Sequence, residues 1–232
     1  MVAMHHERAS IELMTIYQVS KILGSSLDVH KTFREALNVL ISMMGWRRGA
    51  VIIQTEEGNL CGMCSVGLSK DESARLNFAV GEGIVGKVFV SGVAAVVPDI
   101  SVEPLFLNRT GAADQSPDQT VAYLATPIRA DRRTLGVLTM DRLVTNRTGV
   151  FDEDLRLLSM VATLIGQTLL LHRGVSAEQG RLYEEARRMS KALKPLYQLD
   201  MAIGESSRMQ QVFAEVHQAA PTKTTVLLRG ES

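Results

Sequence analysis

The sequence predicts an α+β protein: one mainly antiparallel sheet of five to six strands, with helices packed on a face, followed by a long helix. Three observations carry this. Amphipathic helical periodicity fills the first 44 residues and returns from Asp152 onward. The region between holds short β-branched runs joined by tight polar turns rather than by long crossovers. A glycine-punctuated stretch from Gly81 to Gly92 inserts one short helix among those strands.

Residues 1–10 carry no apolar stripe and read as an N-terminal tail. A first helix is expected over residues 11–23, where Ile11, Met14, Tyr17 and Ile22 form a stripe ending at Gly24. Asp28 then offers an N-cap to a second helix, in which Phe33, Leu37, Leu40, Ile41 and Met44 recur every three to four residues before Gly45 stops it. Residues 49–54 and 59–66 make a hairpin about the turn ending in Gly58. After a helical turn near Asp71, Leu76 to Val80 alternates like a strand, Gly81 and Gly83 take a turn, and Ile84, Val85, Val88 and Phe89 share one face of a helix closed by Gly92. Ala94 to Val97 is a further strand.

Residues 99–120 form a long polar loop, a variable insertion or lid, whose apolar anchor is Leu105-Phe106-Leu107. Residues 121–129 and 134–141 give a second hairpin. Leu155, Leu158, Ala162, Ile165, Leu169 and His172 then step by three and four, and the series resumes at Gln179, Leu182, Ala186, Met189 and Leu193. Gly174 and Gly180 predict a kink or break in the middle. Beyond His172 two readings stand: an a/d seam pairing two subunits, or a solvated charged linker. Past Pro195, Ser206 or Ser207 can cap a helix bearing Met209, Val212, Phe213 and Val216, and Thr224 to Arg229 reads as a strand that stops at Gly230-Glu-Ser232, inside what would be a P-loop.

Composition narrows the function classes. Lys+Arg and Asp+Glu both count 25, so no net field favours nucleic acid, an acidic substrate or an anionic membrane. The opening residues lack the apolar run of a signal peptide, and no stretch approaches the ~18 uninterrupted apolar residues of a membrane span, so a cytoplasmic location is expected.

Gly81, Gly83 and Gly86 spell G-x-G-x-x-G, with Asp99 downstream where a ribose-binding acid would stand. The reading fails on length, because the short helix closed at Gly92 cannot return the chain to a parallel strand, and because Glu82 places a carboxylate where a pyrophosphate belongs. Cys61 and Cys64 form a C-x-x-C pair. On a regular strand they would point to opposite faces, ~10 Å apart at ~3.3 Å per residue, beyond disulfide reach, and no second pair completes a tetrahedral zinc site. His5, His6, His30, His172 and His217 are scattered, and hydrolase elbows and H-E-x-x-H are absent, so the chain is expected not to be an enzyme and to hold no metal.

Residues 11–173 resemble a GAF sensor domain. The matching segments are Gly81 to Gly86, Val96-Val-Pro-Asp99, Thr126-Pro-Ile-Arg129 and Leu135-Gly-Val-Leu138. Residues 202–232 resemble the opening of the AAA+ domain of sigma-54-dependent transcription activators, through Ile203-Gly-Glu-Ser206, Met209 and Val226 to Ser232, with residues 174–201 as a helical linker. Ile16 to Asp28, Glu103 to Gly111 and Met160 to Leu169 are most similar to the NifA-type, nitrogen-fixation-specific branch of that family.

The resemblance implies a regulatory module that controls an ATPase in response to nitrogen or redox status. It implies ATP as a cofactor of the full-length protein only, with Gly230, Glu231 and Ser232 as a partial P-loop, and sigma-54 RNA polymerase and promoter DNA as partners through parts outside these 232 residues. A homodimer or higher oligomer is expected. Two inputs are implied: a PII-type signalling protein, or a small effector such as 2-oxoglutarate, for which Lys87 and Arg129 are the candidate cations. The alternatives are a GAF sensor of a different sigma-54-dependent activator, or a dimerisation module without ligand.

Overall fold

The computed structural model describes residues 2–26, 28–112, 119–144, 151–193 and 206–221 together with Thr225, Leu227 and Arg229; for residues 2–7, 175–180, 182, 186 and 189–193 it describes the backbone alone. The chain divides into two compact units, residues 1–173 and 174–232.

In the first unit, α1 (Val2–Leu23) packs through Val19 and Leu23 onto α2 (Val29–Met44). Asp28 caps α2 by accepting a hydrogen bond from the Lys31 N–H (3.0 Å), and Gly45 closes it in the left-handed conformation, φ 67°. The stretch expected as a tail is helical from Val2. Its anchor is electrostatic rather than apolar, since Arg8 reaches Glu12 (3.2 Å), Glu153 (2.8 Å) and Asp154 (2.7 Å). A contact made 146 residues away leaves no periodicity in the local sequence.

The strands are β1 (Arg48–Gln54), β2 (Leu60–Val66), β3 (Asn77–Phe78), β4 (Ala95–Val97), β5 (Val121–Ala130) and β6 (Arg133–Leu143), in the order β3-β2-β1-β6-β5-β4. Every neighbouring pair is antiparallel. A five-residue helix α3 (Lys70–Ala74), held by a Ser69/Glu72 capping box, links β2 to β3, and α4 (Gly83–Ser91) links β3 to β4.

Period-two alternation divides the core between the two sheet faces. Val51, Leu124, Leu138 and Met140 meet α2 (Phe33, Leu37, Leu40) and α5 (Leu158, Val161, Ile165). Ala50, Ile52, Ala125 and Val137 meet α4 through Ile84, Val85 and Val88. The helices therefore cover both faces, where the sequence predicts one. The unbroken apolar run Ala50 to Ile52 of β1 sends side chains into both layers, and which helix each face takes is settled only by the packed fold.

The long helix α5 runs Phe151–Leu193 as a single element, so the expected break at Gly174 and Gly180 is absent. Each glycine costs only ~1 kcal/mol relative to alanine, too little to end a helix whose neighbours, among them Ala177, Glu178, Arg181 and Leu182, are good helix formers. Residues 151–174 have the length and apolar content of a membrane span, and Leu157, Leu158, Val161, Ala162 and Ile165 are fully buried in the sheet-facing core. At Gly166 a Cβ would stand 2.3 Å from the Arg129 carbonyl oxygen, so the absence of a side chain is what lets α5 lie against β5.

In the second unit, α6 (Ser207–Ala219) is capped by the Ser206 hydroxyl, which accepts from the Met209 N–H (3.3 Å), and it buries Phe213. Thr225, Leu227 and Arg229 are irregular. A strand expected there would need a partner strand, and none stands beside it among the described residues. Gly230, Glu231 and Ser232 lie outside the described residues, as do the side chains of Gln179, Leu182, Ala186, Met189 and Leu193 that would form the seam.

Candidate functional site

On the sheet face away from α2 and α5 lies a cavity of about 70 Å³, well above the ~10–15 Å³ needed to hold a water molecule. Arg48, Ala50, Tyr123, Thr139 and Asp141 form its floor, Leu76, Phe78, Ile84 and Val85 its apolar walls, and residues 105–110 with Ala112 its roof.

The floor is built on an ion pair. Arg48 and Asp141 stand opposite each other on β1 and β6, and the Arg48 Nε–H donates to Asp141 Oδ2 at 2.6 Å, while Nη1 donates to the Ala112 carbonyl at 2.5 Å. Arg48 Nη2 and Asp141 Oδ1 are buried without a hydrogen-bond partner. Burial raises the Asp141 carboxyl above the ordinary carboxylate range, outweighing the pull of Arg48. Beside them the Tyr123 hydroxyl bonds the Thr139 side chain, and burial raises its pKa too. The Tyr123 ring meets Phe106 edge-on, centroids 5.1 Å apart at 68°.

The roof is tied to α4 at three places. Ile84 N–H donates to the Leu105 carbonyl (3.2 Å), Leu107 packs against Gly83, and Arg109 pairs with Glu82. Gly83 has φ 60°, and a Cβ on it would lie 2.9 Å from Leu107, so both backbone and space require glycine there. The Glu82 carboxylate also accepts the Ala79 N–H at 2.8 Å, which with Arg109 holds it below its usual pKa. The G-x-G-x-x-G stretch is thus a turn clamped at its helix N-terminus by a carboxylate, leading into a nine-residue helix and an antiparallel edge strand.

Consecutive residues on β6 face opposite ways, which connects the cavity to the other side of the sheet. Asp141 belongs to the cavity; Arg142 pairs through Nη1 with Asp154 Oδ2 at 2.8 Å and lies over the Phe151 ring at 5.1 Å, both in the first turn of α5. Asp154 is fully buried, takes Arg8 of α1 on its other oxygen, and has its pKa raised, chiefly by burial. One carboxylate therefore joins α1, β6 and α5.

The cations nominated from sequence do not meet the cavity. Lys87 is on the exposed face of α4, and the exposed Arg129 is on β5 beside Gly92. Sequence reasoning missed Arg48, Asp141 and Tyr123. The available signal was a charge of each sign at the end of an otherwise apolar strand, Arg48 opening β1 and Asp141 near the close of β6. The pairing register needed to match them is not local.

The cysteines also differ from expectation. A bulge at Met63 sets Cys64 opposite Val51 and Cys61 opposite Ile53, so both thiols lie on the helix-facing side rather than on opposite faces. Both are free, and burial pushes the Cys64 thiol up to about 12. Cys64 is therefore protonated at neutral pH in the folded chain. A thiol-exchange assay at pH 8 should titrate Cys61 alone, with Cys64 reacting only in denaturant. Among the described residues no three His, Cys, Asp or Glu side chains gather as a metal site.

Residues 28–169 match the GAF domain family. The chain belongs to that family. This GAF domain superposes on a GAF domain from A. aeolicus solved in an inactive state, with a TM-score of 0.63 and 27% identity over 70% of this chain and 98% of that one. It also shares its fold with the free methionine-R-sulfoxide reductase of Neisseria meningitidis (TM-score 0.59, 19% identity, 72% of this chain and 93% of that one). At that identity the likeness concerns the fold alone.

Over nearly its whole length the GAF-bearing chain is similar to Nif-specific regulatory proteins, 46% identical to that of Herbaspirillum seropedicae (96% of this chain, 41% of the relative) and 44% to that of Azospirillum brasilense (99% and 37%). Nitrogen fixation protein VnfA of Azotobacter vinelandii is 33% identical (95% and 42%). The chain thus spans about two-fifths of the length of these curated relatives.

Proposed function

We propose that residues 1–232 are the regulatory part of a cytoplasmic sigma-54-dependent activator of nitrogen-fixation genes, in which occupancy of the GAF cavity controls an AAA+ ATPase through α5. The observation that carries the reading is the pair of consecutive residues on β6: a shift of Asp141 toward or away from a bound molecule moves Arg142, and with it the Asp154 carboxylate in the first turn of α5. The names of the relatives and the resemblance of residues 202–232 to the start of an AAA+ domain support the output. A regulatory role is supported by the names of the relatives, which are Nif-specific regulatory proteins. Nitrogen status is the proposed signal, reaching the domain as a small effector or as a PII-type protein.

A homodimer fits the exposed apolar side chains of α1 and α5, where Leu13 is 70% exposed, Tyr17 64% and Leu171 70%.

The test is a chimera in which this chain replaces the matching region of the Herbaspirillum seropedicae relative, read with a nitrogen-fixation promoter reporter. Regulated activation is expected, becoming insensitive to nitrogen status when Arg142 is replaced by Met. Activation that ignores both the graft and the substitution would refute the regulatory assignment.

A further inference from the structure

The cavity floor pairs one cation with one anion, Arg48 with Asp141, and the Asp141 carboxylate also lies in the field of the neighbouring Arg47. Arg48 and Asp141 have side chains only 8% and 12% exposed, and each retains a buried polar atom with no partner, Nη2 on the arginine and Oδ1 on the aspartate. An unmatched buried donor and an unmatched buried acceptor, on side chains that both line the cavity, leave two hydrogen bonds to be made.

Charge decides what can make them. A dicarboxylate would satisfy Arg48 but would bring a second negative charge against Asp141, and the other cation of the lining, Arg109, is held by Glu82. An uncharged group presenting an acceptor and a donor side by side satisfies both atoms with no charge left over. The walls agree, because Leu76, Phe78 and Ile84 are apolar, and the volume admits one small ring or its equivalent.

We propose that the effector is a small uncharged molecule bearing a carboxamide-like edge (a carboxamide, a lactam or a pyrimidine ring edge), its oxygen accepting from Arg48 Nη2 and its N–H donating to Asp141 Oδ1. The proposal rests on the reading of this cavity as the effector site and replaces 2-oxoglutarate as its occupant.

The test is calorimetric titration of residues 1–232 with nicotinamide, uracil and 2-oxoglutarate, on the wild type, on Asp141→Asn and on the double variant Arg48→Met/Asp141→Leu. The double variant exchanges a buried ion pair for apolar groups of similar size, a change that folded proteins commonly tolerate. Wild type should bind nicotinamide or uracil saturably, and the double variant should bind it at least ~10-fold more weakly, one to two hydrogen bonds having been lost.

Asp141→Asn leaves Arg48 uncompensated, so it should gain affinity for 2-oxoglutarate; this keeps the proposal open to refutation if the double variant does not fold. Wild type binding 2-oxoglutarate in preference to the uncharged probes, with loss in the double variant, would overturn the ligand class and leave the cavity as the effector site. No binding of any probe, or binding indifferent to the double variant, would overturn both.

Discussion

Replacing Gly166 by alanine is expected to destabilise the GAF domain, while the same replacement eight residues later, at Gly174, is expected to stabilise α5. Both changes gain up to ~1 kcal/mol of helix propensity. At Gly174 a Cβ would meet nothing within 4 Å, so the gain stands. At Gly166 it would stand 2.3 Å from the Arg129 carbonyl oxygen and 2.9 Å from its carbon, and these are backbone atoms of β5 that no rotamer change can move away. Overpacking a fitted interface costs ~1–3 kcal/mol, and a backbone clash belongs at the upper end, so the net loss should be near ~2 kcal/mol. For a chain of this size that is a fall in Tm of about 4–8 °C for Gly166→Ala, against a rise of about 2–4 °C for Gly174→Ala. Equal melting temperatures for the two variants would mean that α5 does not lie against β5 as described.

Arg142→Met should cost about 3 kcal/mol at neutral pH, because it strips one of two cations from a carboxylate that has no access to water. Asp154→Asn alone should be nearly neutral. Burial already raises the Asp154 pKa despite both arginines, so its ionised form is disfavoured by folding. A carboxyl whose folded pKa is raised stabilises the fold fully only below its unfolded pKa near 3.8 and loses that contribution as pH rises through the folded value.

The deficit of Arg142→Met should therefore be small in acid, grow as pH rises from about 4, and be largely rescued by adding Asp154→Asn. The unrescued remainder is the contact of Arg142 with Phe151, about 0.5–1 kcal/mol. Urea unfolding of the four proteins of this cycle between pH 4 and 8 checks it. A pH-independent deficit, or a double variant no better than Arg142→Met, would show that the carboxylate is not the group at stake.

Much of the fold was written in local pattern. Asp28 and Gly45 bracket α2 as their chemistry demands, Ser206 caps α6, and both hairpins lie where β-branched runs flank polar turns. Each of these is settled by residues within a few positions of one another: side-chain oxygens finding backbone N–H groups, and glycine taking a left-handed turn. The length of the Gly81 to Gly92 stretch likewise ruled against a dinucleotide fold.

The site was not legible in the same way. Lys87 and Arg129 were drawn from conspicuous segments, yet one sits on the outer face of a helix and the other at a strand end. Arg48, Asp141 and Tyr123 form the cavity floor because β1, β5 and β6 align at one register, which backbone pairing and the whole apolar core decide together. The same holds for Arg8, Arg142 and Asp154, three residues of ordinary local context joined by a carboxylate that only the docking of α1 and α5 buries. The bulge at Met63, which turned two cysteines onto one face, likewise has no local signature beyond Gly62. Capping, turns and periodicity are near-neighbour energies and could be read from the chain alone; burial, register and the pairing of distant charges are properties of the packed whole, and only the tertiary structure decided them.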